Sequence, residues 1–435
     1  MGGLYNGAWV AAQVAETIDV WNQSAADRLE LGPQYSERDH EAREIAYDAE
    51  LQAVEGEARR APRSVAARKA AQERLTASFA QFAANALDLE AEATSLLTDC
   101  FLPAGIEFSR YAHQFDPTLS REDTIQACRN AWTACGLQPL LGQPSRMTPS
   151  IVAYSLLYPY SDNYLDAGDV PLEAKLSFSR RFRNRLRGEV FKELNARDAV
   201  IWALVEMVES EYPRAQFPDV YDCMLAIHQA QEDSIAQLRD GTEPSDAELL
   251  EISFAKGGTS VLADACLARG WMTAAESRFA FEWGALLQLG DDLQDVREDL
   301  RRGSVTLFTR AIRRGEALDA CVAQLLNFCE RVAAGMEVAV PGNRRLKDLL
   351  KMSWRSLIIG AVAEAHEFFT PAFQRKMEES SPFCFGFLRA RRKRLANRQG
   401  LYAVLFDLFV ETGDGEERLP RRQAVGERLT PVPMG

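Results

Sequence analysis

The chain has 435 residues, 47% of them hydrophobic and 26% charged, enough for one large domain with an appendage or for two domains. A formal net charge of −13 excludes the basic footprint of a nucleic-acid binder. No apolar run reaches the length of about eighteen residues that a membrane span needs, and none is expected.

In chain order, helical signals dominate and period-2 runs of β-branched residues are almost absent, which predicts an all-α fold. The opening segment has neither a charged n-region nor an apolar h-region, so no secretory signal is expected. Residues 37–61 mix Glu and Arg at helical spacing and stop at Pro62, as a solvated helix does. From Ser64 to about Cys100 the sequence is alanine-rich and predicts one long helix. Ser120, Ser245 and Thr273 read as helix N-caps, the last two in capping boxes, and Thr148-Pro149 opens the helix that follows it. Gly257-Gly258 interrupts an apolar helical pattern and predicts a helix break. Residues from Thr412 onward, rich in Gly, Pro, Glu and Arg, have the composition of a disordered tail. The expected division is an N-terminal helical extension over 1–100, a catalytic bundle over 101–375, a C-terminal helical segment over 376–411 and the tail over 412–435. Eight cysteines without C-x-x-C spacing and four dispersed histidines predict reduced thiols, no zinc motif and a cytoplasmic protein.

Two aspartate-rich segments carry the chemistry: Ser161-Asp162-Asn163-Tyr164-Leu165-Asp166 and Gly290-Asp291-Asp292-Leu293-Gln294-Asp295, each after apolar helical turns. Residues four apart share a helix face, so Asp162 pairs with Asp166 and Asp291 with Asp295. Carboxylates in apolar surroundings are costly unless their charge is compensated. Aspartates late in a helix also oppose the macrodipole. Two such clusters facing each other would suit Mg²⁺, which takes a few carboxylates together with phosphate oxygens. The competing reading for each is a solvated helix end, with Arg297 and Arg301 balancing the second cluster.

These residues resemble the class I isoprenoid synthase superfamily. Residues 289–299 are similar to the second aspartate motif of polyprenyl synthases and to the N-x-x-x-D-x-x-x-D pattern of squalene and phytoene synthases. Residues 299–307 resemble D-x-x-x-G-K-x-T-L-P, with Ser304 in place of the lysine and Phe308 in place of the proline. Lys256-Gly257-Gly258-Thr259-Ser260 resembles the segment that presents a lysine to the diphosphate. The first motif is similar to the D-x-x-x-D of squalene and phytoene synthases. With Ala167-Gly168-Asp169 it also resembles the Y-L-D-x-x-x-D segment of bacterial large-terpene synthases. Chain-elongating enzymes follow their first motif with Arg-Arg-Gly; here Asp166 is followed by Ala-Gly-Asp-Val-Pro.

The resemblance implies a class I isoprenoid synthase-like helical bundle with an additional N-terminal helical segment. It implies roughly three Mg²⁺ ions held by Asp162, Asp166, Asp291, Asp292 and Asp295, with Lys256, Arg297 and Arg302 on the diphosphate. Tyr154, Tyr158, Phe254 and Phe281 are candidates for an apolar cavity wall, against the plainer reading that each is a core residue. The run Arg180, Arg181, Arg183, Arg185, Arg187 offers either a pyrophosphate grip or a solvated face, with at most one or two members turned inward. In residues 227–233 only one subset of His228, Gln231 and Asp233 can face the interior. The basic run 389–394 beside Phe383, Phe385 and Phe387 suggests a peripheral membrane contact or, equally, a solvated helix face. The expected function is ionisation of an allylic prenyl diphosphate followed by cyclisation. Head-to-head coupling and head-to-tail elongation are the alternatives, and a catalytically silent helical scaffold is the reading outside enzymes. A homodimer is left open.

Overall fold

The computed structural model describes residues 4–25, 28–60, 62, 64–167, 169–190, 192–237 and 244–410, and of Asp166 and residues 235–237 the backbone alone. The expected tail falls outside the described residues. The helices are α1 Gly7–Ser24, α2 Glu37–Arg60, α3 Val65–Asn85, α4 Ala91–Leu96, α5 Leu102–Phe115, α6 Arg121–Leu140, α7 Pro149–Asp166, α8 Leu172–Leu186, α9 Ala196–Glu211 and α10 Pro218–Gln237. They continue as α11 Asp246–Arg269, α12 Ala274–Gln294, α13 Val296–Arg302, α14 Leu307–Arg313, α15 Asp319–Ala339, α16 Arg344–Glu364, α17 Pro371–Glu378, α18 Phe385–Ala396 and α19 Gln399–Val410. No strand occurs among the described residues, and no helix is long and apolar enough to cross a membrane.

The expected starts are realised by side-chain caps that satisfy otherwise orphaned N–H groups. Ser120 accepts from Asp123 N, Thr148 from Ile151 N with Pro149 in the first turn, and Ser245 and Thr273 complete capping boxes with Glu248 and Glu276. The long helix expected over 64–100 is divided. It ends at Asn85, Asp88 takes φ 57°, and the chain restarts as α4 before a π turn, Leu97–Phe101, joins it to α5. Alanine content favoured a helix throughout, but the segment has to bend around the bundle, and Arg43 pairs with Asp88 at the bend.

The centre is the antiparallel pair α11 and α12, and here the expected helix break is overturned: α11 runs unbroken through Gly257 and Gly258. The glycines serve closeness instead. A Cβ on Gly257 would stand 2.3 Å from Gly284 O, one on Gly284 2.0 Å from Gly257 O, and one on Gly258 2.6 Å from the Phe281 ring. Only hydrogen at these positions lets the two backbones touch. Around this pair α6 and α7 pack on one side, and α1 and α15 on the other. Phe254 on α11 is fully buried, stacks on Phe328 of α15 and meets the edge of Trp21 of α1. Burial of such a side chain contributes about 2–3 kcal/mol. Helix α1 therefore belongs to the central core rather than standing apart in a 1–100 extension. A smaller core, Ala71, Leu75 and Leu408, joins α3 to α19, with Val54 of α2 packed against it.

The basic run on α18 is turned to internal use. Arg391 pairs with Asp48, Arg394 and Arg398 clamp the buried Glu55 of α2, and Arg389 donates to Ala363 O. Arg392, although exposed, pairs with Glu364. That use removes the reason for expecting a membrane-facing patch.

Candidate active site at the carboxylate ends of α7 and α12

Contacts between helices fix which ends lie together. Arg269 near the end of α11 reaches Leu141 O just past the end of α6, at 3.0 Å. Near the middle of both helices Arg129 of α6 and Lys256 of α11 act on Asp291. Helices α6 and α11 thus run parallel. Helix α7 returns against α6, since Gln126 donates to Tyr158 Oη at 3.0 Å and Asn163 to Asp123 Oδ1 at 2.9 Å. Helix α12 returns against α11, with Ser253 donating to Asp292 Oδ2 at 3.1 Å. The C-terminal turns of α7 and α12, which hold the two motifs, therefore lie at the same end of the bundle, with the N-terminal halves of α6 and α11 beside them.

On α12, Asp291 is half-buried and ion-paired to Arg129. Burial raises its pKa first of all; Arg129 and Lys256 act downward and Asp295 upward, and the net shift is up. Asp292 turns the other way, accepting from Gln288 at 2.9 Å and from Ser253. Its burial, aided by Asp299 and Asp291, pushes its pKa up to about 7. Asp299, one turn past Asp295, is raised by burial and by Asp295, and a hydrogen bond from Ser304 works against the shift. Asp291, Asp295 and Asp299 thus bring like charges together where α12 passes into α13. On α7 Asp162 accepts from its neighbour Ser161 Oγ at 2.9 Å; the Asp166 side chain lies outside the described residues.

The donor set tests the fit of the expected metal. It is all carboxylate oxygen, the chemistry Mg²⁺ prefers, and the mutual repulsion along α12 is the energetic term a bound cation would relieve. Among the described residues no three His, Cys, Asp or Glu side chains converge into a preformed metal cluster. Any ion here would take part of its coordination from water and from substrate, which is the usual habit of Mg²⁺.

The other expected residues divide. Lys256 stands at the site through its effect on Asp291. Arg297 is held by Glu367 of the turn after α16, and Arg302 by Glu298. Both cations are occupied by glutamates, so the role expected for them on a diphosphate gains no support from their placement. Tyr154 lies buried on α7 and donates to Ser260 O at 3.2 Å, one turn from Lys256 along α11. Tyr158 borders α6. Phe254 and Phe281 are corrected: both are fully buried core residues turned toward α1, Phe281 under Trp9. Of the α8 arginines, three are paired inward, Arg181 with Asp198, Arg183 with Glu232 and Arg185 with Glu209, more than the one or two expected. They brace α8 against α9 and α10. His228 is the buried member of its segment, with Nε2 3.0 Å from Ser179 O, while Gln229 donates to Asp233 Oδ1.

Sequence reasoning missed Arg129 and Ser253, which reach the second motif from other helices, and Gln126, which bonds Tyr158 one turn before the first. Gln288, four residues before Asp292, was open to the same spacing argument that paired the aspartates. A separate cavity of about 1040 Å³ lies between α1, α8, α10 and α11, walled by Val10, Val14, Leu225 and Ile252. It uses the face of α11 turned toward α1, next to the face that carries Ser253 and Lys256. No family model, curated protein or solved structure matches the chain.

Proposed function

We propose that the protein is a Mg²⁺-dependent class I terpene synthase, which ionises an allylic prenyl diphosphate and closes the resulting cation into a ring. The observation that supports this reading is that two aspartate-bearing helix ends, α7 and α12, lie at the same end of the bundle, with Lys256 and Arg129 beside Asp291. Asp162 and Asp166 would hold metal from one wall, and Asp291 and Asp295 from the other. Asp292, hydrogen-bonded by Gln288 and Ser253, orients the end of α12. Bound Mg²⁺ supplies neutralisation of the charge that develops on the departing pyrophosphate. Lys256 adds cationic charge at the same place, beside the Arg129–Asp291 pair, and Tyr154 lies buried deeper on α7.

Cyclisation is favoured over elongation because Ser304 bonds Asp299 where elongating enzymes carry a lysine, and because no Arg-Arg-Gly follows Asp166. The site has cations for one diphosphate. Head-to-head coupling is the second reading, on the Asp162/Asp166 spacing. The test is product analysis after incubation with a chain-length series of prenyl diphosphates, with and without isopentenyl diphosphate. A ring-containing hydrocarbon or alcohol with the substrate's carbon count is expected. A product with doubled carbon count would move the assignment to coupling, and a longer diphosphate to elongation.

A further inference from the structure

His40 and Cys384 meet where the first turn of α2 packs on the turn that leads into α18. Cys384 Sγ lies 3.3 Å from His40 Nδ1, and His40 Nε2 lies 2.9 Å from Ser381 O. A carbonyl oxygen can only accept, so Nε2 carries the ring proton and Nδ1 presents its lone pair to the thiol. Cys384 is the N-cap of α18 and is partly exposed. Of the other seven thiols five are buried, Cys100 and Cys321 are half-buried, and none has a histidine partner among the described residues.

Three carboxylates surround the pair. Glu44 Oε1 accepts from Cys384 N at 3.0 Å, Glu378 of α17 accepts from Phe385 N, and Glu37 stands in the first turn of α2. Burial, a hydrogen bond from the thiol to Glu44 and the charges of Glu44, Glu378 and Glu37 push the thiol up to about 11. Free thiolate is therefore scarce at neutral pH, and reaction requires a base in contact with the sulfur. His40 Nδ1 is in that position. The same carboxylates make the surroundings negative, which draws a cationic reagent and repels an anionic one.

We propose that Cys384, with His40 as its base, is a thiol–disulfide exchange site selective for small cationic disulfides. The sulfur attacks one sulfur of the reagent as its proton passes to His40 Nδ1. The Cys384–S bond forms, the reagent's S–S bond breaks, and the departing thiolate takes the proton back from the imidazolium. One disulfide and one thiol become a mixed disulfide and a new thiol, with no other oxidant needed.

The test uses the reduced full-length chain with limiting cystamine, bis-hydroxyethyl disulfide or dithiodiglycolate, and mass mapping of each cysteine over time. Cys384 should be modified first, fastest by cystamine and slowest by dithiodiglycolate. His40→Ala should slow Cys384 roughly a hundredfold while Cys100 and Cys321 keep their rates. Modification of Cys384 no faster than of Cys100 overturns the proposal, as does an unchanged rate in a folded His40→Ala variant. If that variant does not fold, Glu44→Gln with Glu378→Gln decides. A fall in the cystamine preference supports the site, and an unchanged preference refutes it.

Discussion

Asp291 and Asp292 leave α12 on different faces, and their neighbours assign them different work. Asp291 meets a cation from α6 and a like charge from its own helix, whereas Asp292 is hydrogen-bonded to Gln288 and Ser253. A ligand that binds the native site raises stability by mass action. Mg²⁺ together with pyrophosphate is therefore expected to raise the melting temperature more than either alone, and Asp162→Ala should remove that rise while circular dichroism stays unchanged. A full rise in the variant would take Asp162 out of the site. A second prediction rests on His228, whose burial pushes its pKa down to about 4 from 6.5. A buried neutral imidazole stabilises the fold fully above pH 6.5, and that stability is lost as pH falls toward 4 because the unfolded chain binds the proton first. The loss amounts to about 3 kcal/mol. Denaturant unfolding across this range should show it, and His228→Gln should flatten the slope; equal slopes would contradict the assignment. The aspartates were legible because their i, i+4 spacing is local. Arg129 was not, because its contact with Asp291 spans 162 positions and leaves no mark in either helix alone.

Helices α11 and α12 show how a local rule can be correct about cost and wrong about consequence. Glycine weakens a helix, and Gly257-Gly258 invites a break when read alone. Gly284, one helix away, gives the pair its meaning: both backbones need the missing Cβ. Gly257→Ala should therefore destabilise the protein by about 3 kcal/mol or more through overpacking, measured as a lower denaturant midpoint, although alanine is the better helix former. A neutral or stabilising outcome would show that the helices can part without cost. Caps were legible in advance because each is a contact within four residues. The division of the helix expected over 64–100 was not, since alanine content carries no signal for a bend set by the neighbouring helices.

At the scale of the whole molecule, the all-α class followed from patterning, and the shared end of the two motifs follows from the directions of four helices. Chain order concealed the place of α1. It was expected within an extension over 1–100, but Trp21 enters the core edge-on to both Phe254 and Phe328, and Tyr5 hydrogen-bonds Ser277 of α12 at 2.8 Å. The α2–α18 clamp through Glu55, Arg394 and Arg398 likewise joins segments more than 330 positions apart, and it draws inward a basic run that looked like a surface feature. In the proposed function the ends of α7 and α12 act together to ionise a diphosphate. The most direct measurement is pyrophosphate release from an allylic prenyl diphosphate by the purified chain, with Mg²⁺ present or chelated, for wild type and Asp291→Ala. Release that requires Mg²⁺ and disappears in the folded variant is the predicted result; no release from any chain length, or equal release by Asp291→Ala, would contradict the account.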